Sequence, residues 1–211
     1  MAAIAFRSAT NNISGGSGLT VNKPAGVVDK DVLLLYASSY WGAEFAAPAG
    51  WQVLDANTRI QAWYKVADSE PSSYTLTLVS GTSSLSAIVL VAYTEVATLP
   101  IRAHAANLGS GTTSQAPPTL PGLTADNMVV LAYGSSDGFG RTVSDPAGGW
   151  TFRSGVSLSE SGADRNMKLF VYDKLGGLDT PTVASDLSSS WGISSVALAT
   201  PGSGNFLSFF M

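Results

Sequence analysis

The fold class predicted by the sequence is all-β, and three observations predict it. Apolar residues nowhere hold the i, i+3, i+4, i+7 spacing of an amphipathic helix for three turns. Short runs rich in Val, Ile, Leu, Tyr and Thr recur instead along the whole chain. Between them stand Gly, Pro, Asn and Ser, which turns select for backbone freedom, fixed φ or local hydrogen bonding.

In order, AIAFRSA (3–9) and GLTVN (18–22) are predicted strands separated by the Gly-rich loop NNISGGSG (11–18). DVLLLYASS (31–39) follows, apolar on both faces. WQVLDA (51–56) and IQAWYKVA (60–67) flank a short polar turn, and SYTLTLV (73–79) alternates in the period of two that half-buried strands show. SAIVLVAYTEV (86–96) is again doubly apolar, and IRAHAANL (101–108) precedes the Pro-rich stretch QAPPTLPGLTADN (115–127). Beyond it lie MVVLAYGSS (128–136), GWTFRSGVSL (149–158), MKLFVYDKL (167–175), TPTVAS (180–185) and WGISSVALAT (191–200).

The second series echoes the first. PAGW (48–51) returns as PAGGW (146–150), VLLLYASS (32–39) as VVLAYGSS (129–136), Tyr64 and Lys65 as Tyr172 and Lys174, and AIVLVAY (87–93) as SSVALAT (194–200). An internal duplication with halves at about 20–114 and 122–200 follows. A half of four or five strands cannot cover its own apolar face, so the halves are expected face to face in a jelly-roll-like β-sandwich of about 8–10 strands. One domain over residues 1–204 is expected. In the repeated turn Pro fixes φ, Gly permits the corner, and Trp51 and Trp150 re-enter the sandwich as structural anchors.

Strands that are apolar on both faces need cover on the outside, from long loops, an extra strand or a neighbouring subunit. The last seven residues sharpen the choice. NFLSFFM (205–211) brings Phe206, Leu207, Phe209, Phe210 and Met211 together, which are expected to dock either on the chain's own sandwich or on an adjacent subunit.

Charged residues make up 12 % of the chain, against about 25 % in a typical soluble domain. So sparse a charge fits a surface covered by neighbours, and homo-oligomerisation is expected. Eleven Lys+Arg against fifteen Asp+Glu, with no basic stripe, argue against nucleic acid. No apolar run approaches the roughly 20 residues of a membrane span, and MAAIAFRSAT lacks the basic-then-apolar start of a signal peptide. The expectation is a protein with no membrane insertion and no conventional export. The absence of cysteine removes disulfides and thiolate chemistry.

Candidate chemistry is thin. His104 is the one histidine and has no acid nearby in sequence to orient it. The carboxylates at Asp29, Asp31, Glu44, Asp68, Glu70, Asp126, Asp137, Asp145, Glu160, Asp164, Asp179 and Asp186 stand mostly beside turn residues. No catalytic residue, metal site or cofactor is expected. A glycan-binding alternative rests on Tyr40, Trp41 and Phe45 in SSYWGAEF (38–45) and Phe139 in SSDGFGR (135–141), aromatic side chains that could stack on a sugar face from corresponding loops.

Taken together, the aspartate-led apolar run at 31–37, PAGW at 48–51, WYKVA at 63–67, EPSSYT at 70–75, the AIVLVAY strand at 87–93 and PAGGW at 146–150 resemble jelly-roll structural proteins of tailed bacteriophages. The resemblance runs from about residue 20 to 200 and is carried by packing motifs. It implies a non-enzymatic, oligomeric virion protein attached to phage capsid or tail proteins. A compact subunit without a stalk points to capsid decoration, a cement role or a minor capsid protein. The alternative is a tail- or fibre-associated module that binds a receptor or host carbohydrate.

Overall fold

A strand that is apolar on both faces is stable only between two layers, and this chain supplies both. The computed structural model describes residues 3–15, 18–40, 42–81, 85–137, 143–160, 165–177 and 182–201. Among them run fourteen strands: β1 (Ala5–Ser14), β2 (Gly18–Asn22), β3 (Val32–Ser39), β4 (Glu44–Phe45), β5 (Gln52–Ala56), β6 (Gln61–Val66), β7 (Ser73–Ser80), β8 (Ser86–Thr94), β9 (Ile101–Gln115), β10 (Met128–Asp137), β11 (Val143–Ser144), β12 (Thr151–Glu160), β13 (Arg165–Leu175) and β14 (Val183–Leu198). All pairings are antiparallel.

The first half forms a five-stranded sheet, β1-β8-β3-β6-β5, and a small sheet, β2-β7-β4. In the second half β9-β14-β10-β13-β12 repeats the large sheet strand for strand. Its small layer is made by extension: beyond a register shift, the start of β14 pairs with the end of β9 at Val183–Gln115 and with β11 at Val143–Ser185. Where the first half breaks the chain between β1 and β2 and between β7 and β8, the second runs through in the single long strands β9 and β14.

The large sheets pack on each other through Val32, Leu34, Tyr36, Val89, Val91 and Tyr93 on one side and Met128, Val130, Ala132, Leu169, Val171 and Val196 on the other. Leu33, Leu35, Ile88 and Leu90 point the opposite way, into Leu19, Val21, Tyr74 and Leu76 of the small sheet. In the second half Leu131, Tyr133, Tyr172 and Ile193 meet Val183, with Val143 and Trp150 at the margin. The outer cover weighed between loops, an extra strand and a neighbour is therefore a small sheet of the chain's own. Fourteen strands, not eight to ten, are needed to build it.

Strand pairing also moves the boundaries of the repeat. β9 pairs with β14 as β1 pairs with β8, so IRAHAANL belongs to the second half, and the repeats run over 5–94 and 101–198 in place of 20–114 and 122–200. Both first strands carry a bulge near their start, two residues into β1 and one into β9, and the extra residue is an arginine each time, Arg7 and Arg102. Both edge strands β5 and β12 are bulged as well.

The sequence match of VLLLYASS with VVLAYGSS lies one residue out of structural register. Asp31 accepts from the backbone N–H of Val28 (3.0 Å), and its carbonyl from Ala67 N–H (2.7 Å). Asn127 does the same with Thr124 (2.8 Å) and Gly176 (2.8 Å). Aligned on these turns, Tyr36 matches Ala132, not Tyr133, and Trp63, not Tyr64, matches Tyr172; Lys65 does match Lys174. A one-residue slip in a strand exchanges its faces: Tyr36 lies between the large sheets and Tyr133 on the outside.

In this register Ser38 corresponds to Gly134, and the two face each other across the centre. A Cβ on Gly134 would lie 2.8 Å from Ser38 Oγ, 3.0 Å from Ser38 Cβ and 3.3 Å from the Arg59 carbonyl. Gly134→Ala is expected to destabilise by about 1–3 kcal/mol through overpacking. Urea denaturation checks this, and Ser38→Gly in the same chain should return part of the loss.

Candidate functional site

The motifs quoted from the first half converge on one corner. In PAGW, Trp51 N–H closes the turn onto the Pro48 carbonyl (3.1 Å), and Gly50 takes the left-handed φ of 81° that this corner requires. Trp51 is delivered between the two layers, 7 % exposed, with its ring edge-on to Tyr74 at 5.2 Å. Tyr74 donates to Glu70 (2.6 Å), Glu70 pairs with Lys65 (2.7 Å), and the Lys65 stem runs past Gly50. Trp63, two residues before that lysine, is buried in the same cluster. PAGW, WYKVA and EPSSYT thus form one latch that clamps the small sheet to the large one.

Burial raises the Glu70 carboxyl. Hydrogen bonds from Lys65, Tyr74 and the Asp68 N–H, with the Lys65 charge, outweigh it and hold the group below its ordinary value. A carboxyl lowered in the folded state contributes stability above its unfolded pKa, and that contribution is lost as pH falls through the folded pKa. Glu70→Gln should cost about 1–3 kcal/mol at neutral pH and less in acid, so its denaturation midpoint should converge on the parent's as pH drops below the ordinary glutamate range. A constant difference at all pH values would mean the charge has no part in the latch.

Two buried polar groups cross between the large sheets, and neither was recognised from sequence. Asp173 on β13, 1 % exposed, accepts from Tyr93 Oη on β8 (2.9 Å) and Arg153 Nε on β12 (2.8 Å). The Arg153 guanidinium in turn lies 4.5 Å over the Phe6 ring of β1. Burial above all, then the Asp173 charge and hydrogen bond, hold Tyr93 well above the ordinary tyrosine range, with Arg153 opposing. The phenol stays a donor. Asp55 on β5 accepts from Ser194 Oγ on β14 (2.5 Å) and lies 3.5 Å from His104 Nδ1 on β9. Lone acids inside apolar strands, WQVLDA and FVYDK, were the legible signal for both.

Asp55 gives His104 an acid in space that it lacks in sequence, but the order is wrong for nucleophilic catalysis. The carboxylate, not the imidazole, stands between the other two, and Ser194 is fully buried with its hydroxyl committed to Asp55. Three of the turn carboxylates are occupied: Asp29 accepts from Ser69 N–H (2.9 Å), Asp145 from Tyr172 Oη (2.9 Å), and Asp31 pairs with Arg7.

The proposed sugar platform is not assembled by its described members. Tyr40 packs, partly buried, against the central cluster, whereas Phe45 is buried in the outer cluster on the other side of the first large sheet. Trp41 and Phe139 lie outside the described residues, as do the predicted docking residues Phe206, Leu207, Phe209, Phe210 and Met211. Trp150 sits at the margin between two apolar clusters of the second half, less enclosed than Trp51. No family model, curated protein or solved structure matches this chain.

Proposed function

We propose that this chain is a structural protein of a tailed-bacteriophage virion, a capsid decoration or cement subunit or a minor capsid protein, without catalytic activity or cofactor. The observation that carries the reading is the strand order. A jelly roll of eight strands numbered along the chain has one sheet in the order 1-8-3-6 and the other in the order 2-7-4-5. The first half has β1-β8-β3-β6 and β2-β7-β4, with β5 moved to the edge beside β6. The second half follows the same plan. The motifs of the first half that carry the phage resemblance serve packing: Trp51, Trp63 and Tyr74 are buried between the layers, and Glu70 accepts from Tyr74.

Two jelly rolls locked back to back make a rigid block whose rim and ends are left for contacts with phage capsid or tail proteins and with further copies of itself. The sparse charge of the chain suits such contacts. A stable association needs about 1,600 Å² of buried surface summed over the partners. Gradient-purified particles, probed with an antibody to this chain, are the test. Co-sedimentation with particles, and heads that rupture at lower temperature once it is stripped, are expected; absence from particles would refute the proposal. A glycan array run in parallel addresses the receptor-binding alternative, which sugar binding abolished by Trp41→Ala would favour.

A further inference from the structure

β14 delivers the chain to one particular end of the block, where four apolar side chains stand exposed among the charged turn residues Asp29, Lys30, Asp68, Glu95 and Asp126. Ser38 opposite Gly134 and Tyr93 opposite Asp173 set β3 against β10 and β8 against β13, so the starts of β3 and β10 share an end. Val28, Val66, Leu99 and Leu175 are all exposed there, Leu99 by 62 % and Leu175 by 48 %. Val66 and Leu175 are partners of the first residues of β3 and β10, Val32 and Met128, so the two halves keep an exposed apolar residue at the same place.

The exit of the chain is fixed at this end. Ala199 N–H donates to the Pro100 carbonyl (2.8 Å) and the Ala199 carbonyl accepts from Ala97 N–H (2.9 Å), which brackets Leu99. Leu198, Met128 and Leu175 stand level on adjacent strands, so Leu175 lies two strand spacings, about 10 Å, from the exit. The seven residue steps from Ala199 to Phe206 reach about 23 Å when extended. Phe206, Leu207, Phe209, Phe210 and Met211 therefore arrive within reach of both exposed leucines of their own chain.

We propose that in the free protein residues 205–211 fold back on this end and cover Leu99 and Leu175 of the same chain. A tether this short gives the segment an effective concentration on the order of millimolar at its own patch, which a neighbour at micromolar concentration cannot match. Docking of the segment on a neighbour then requires its exchange. The inference is independent of the virion reading.

The absence of cysteine makes a direct test available. Leu175→Cys combined with Phe209→Cys, oxidised at micromolar concentration, should give predominantly an intramolecular disulfide, seen by non-reducing electrophoresis and peptide mass mapping. Leu175 is exposed, so the variant retains its core. Val79→Cys with Phe209→Cys is the control, because Val79, 66 % exposed, lies at the opposite end of the block. Disulfide-linked dimers from the first pair would overturn the proposal in favour of docking on a neighbour. Equal intramolecular trapping by both pairs, or none by the first, would overturn it outright.

Discussion

Asp173→Ala is expected to be among the most damaging single substitutions in this protein, costing about 2–4 kcal/mol, because it strands a half-buried arginine and a fully buried hydroxyl together. Arg153 loses its carboxylate and Tyr93, fully buried, loses its acceptor. The three side chains come from both halves, so the loss falls on the contact between them. Tyr93→Phe removes one bond and leaves the Arg153–Asp173 pair, and about 1–2 kcal/mol is expected. Urea denaturation of the three proteins checks the ordering; equal midpoints for Asp173→Ala and Tyr93→Phe would show that the ion pair carries nothing.

The second large effect concerns the repeated tryptophan. Trp51→Ala should cost about 3–5 kcal/mol, since it empties a closed site between two layers and removes the ring that Tyr74 packs against. Trp150→Ala should cost distinctly less, because that ring is only partly buried at the edge of its clusters. Both values come from thermal or urea unfolding followed by near-ultraviolet circular dichroism. A Trp51→Ala protein of parental stability would remove the anchoring role of the PAGW turn.

The same turn marks what the sequence made legible. Trp51 and Trp150 stand at equivalent positions one step before β5 and β12, so the place of the turn ahead of a strand was readable from four or five letters. The doubly apolar runs at 32–39 and 87–93 were readable as strands covered on two sides. Their cover was not, because β4 and β11 are two residues long and the outer layer of the second half is built from the ends of β9 and β14, which leave no separate pattern. The register error at Tyr36 has a related cause: Val, Leu and Ala fit either face of a strand buried on both, so side-chain type no longer reports the face. The polar crossings of Asp55 and Asp173 join residues far apart in sequence, and no local spacing encodes them.

The sugar platform drawn from SSYWGAEF treated neighbouring aromatics as one surface. Tyr40 and Phe45 flank the turn after β3 and end on opposite sides of the sheet. Spacing in a loop carries no face, whereas spacing in a strand does.

Everything rests on two sandwiches that bury their own strands within one chain and meet through their large sheets. Hydrogen exchange at low micromolar concentration tests this most directly. The amides of β3, β8, β10 and the Trp191–Leu198 part of β14 should be the slowest in the molecule, protected alike in both halves and unchanged on tenfold dilution. Rapid exchange of these strands in the dilute protein, with protection gained only as copies associate, would contradict it.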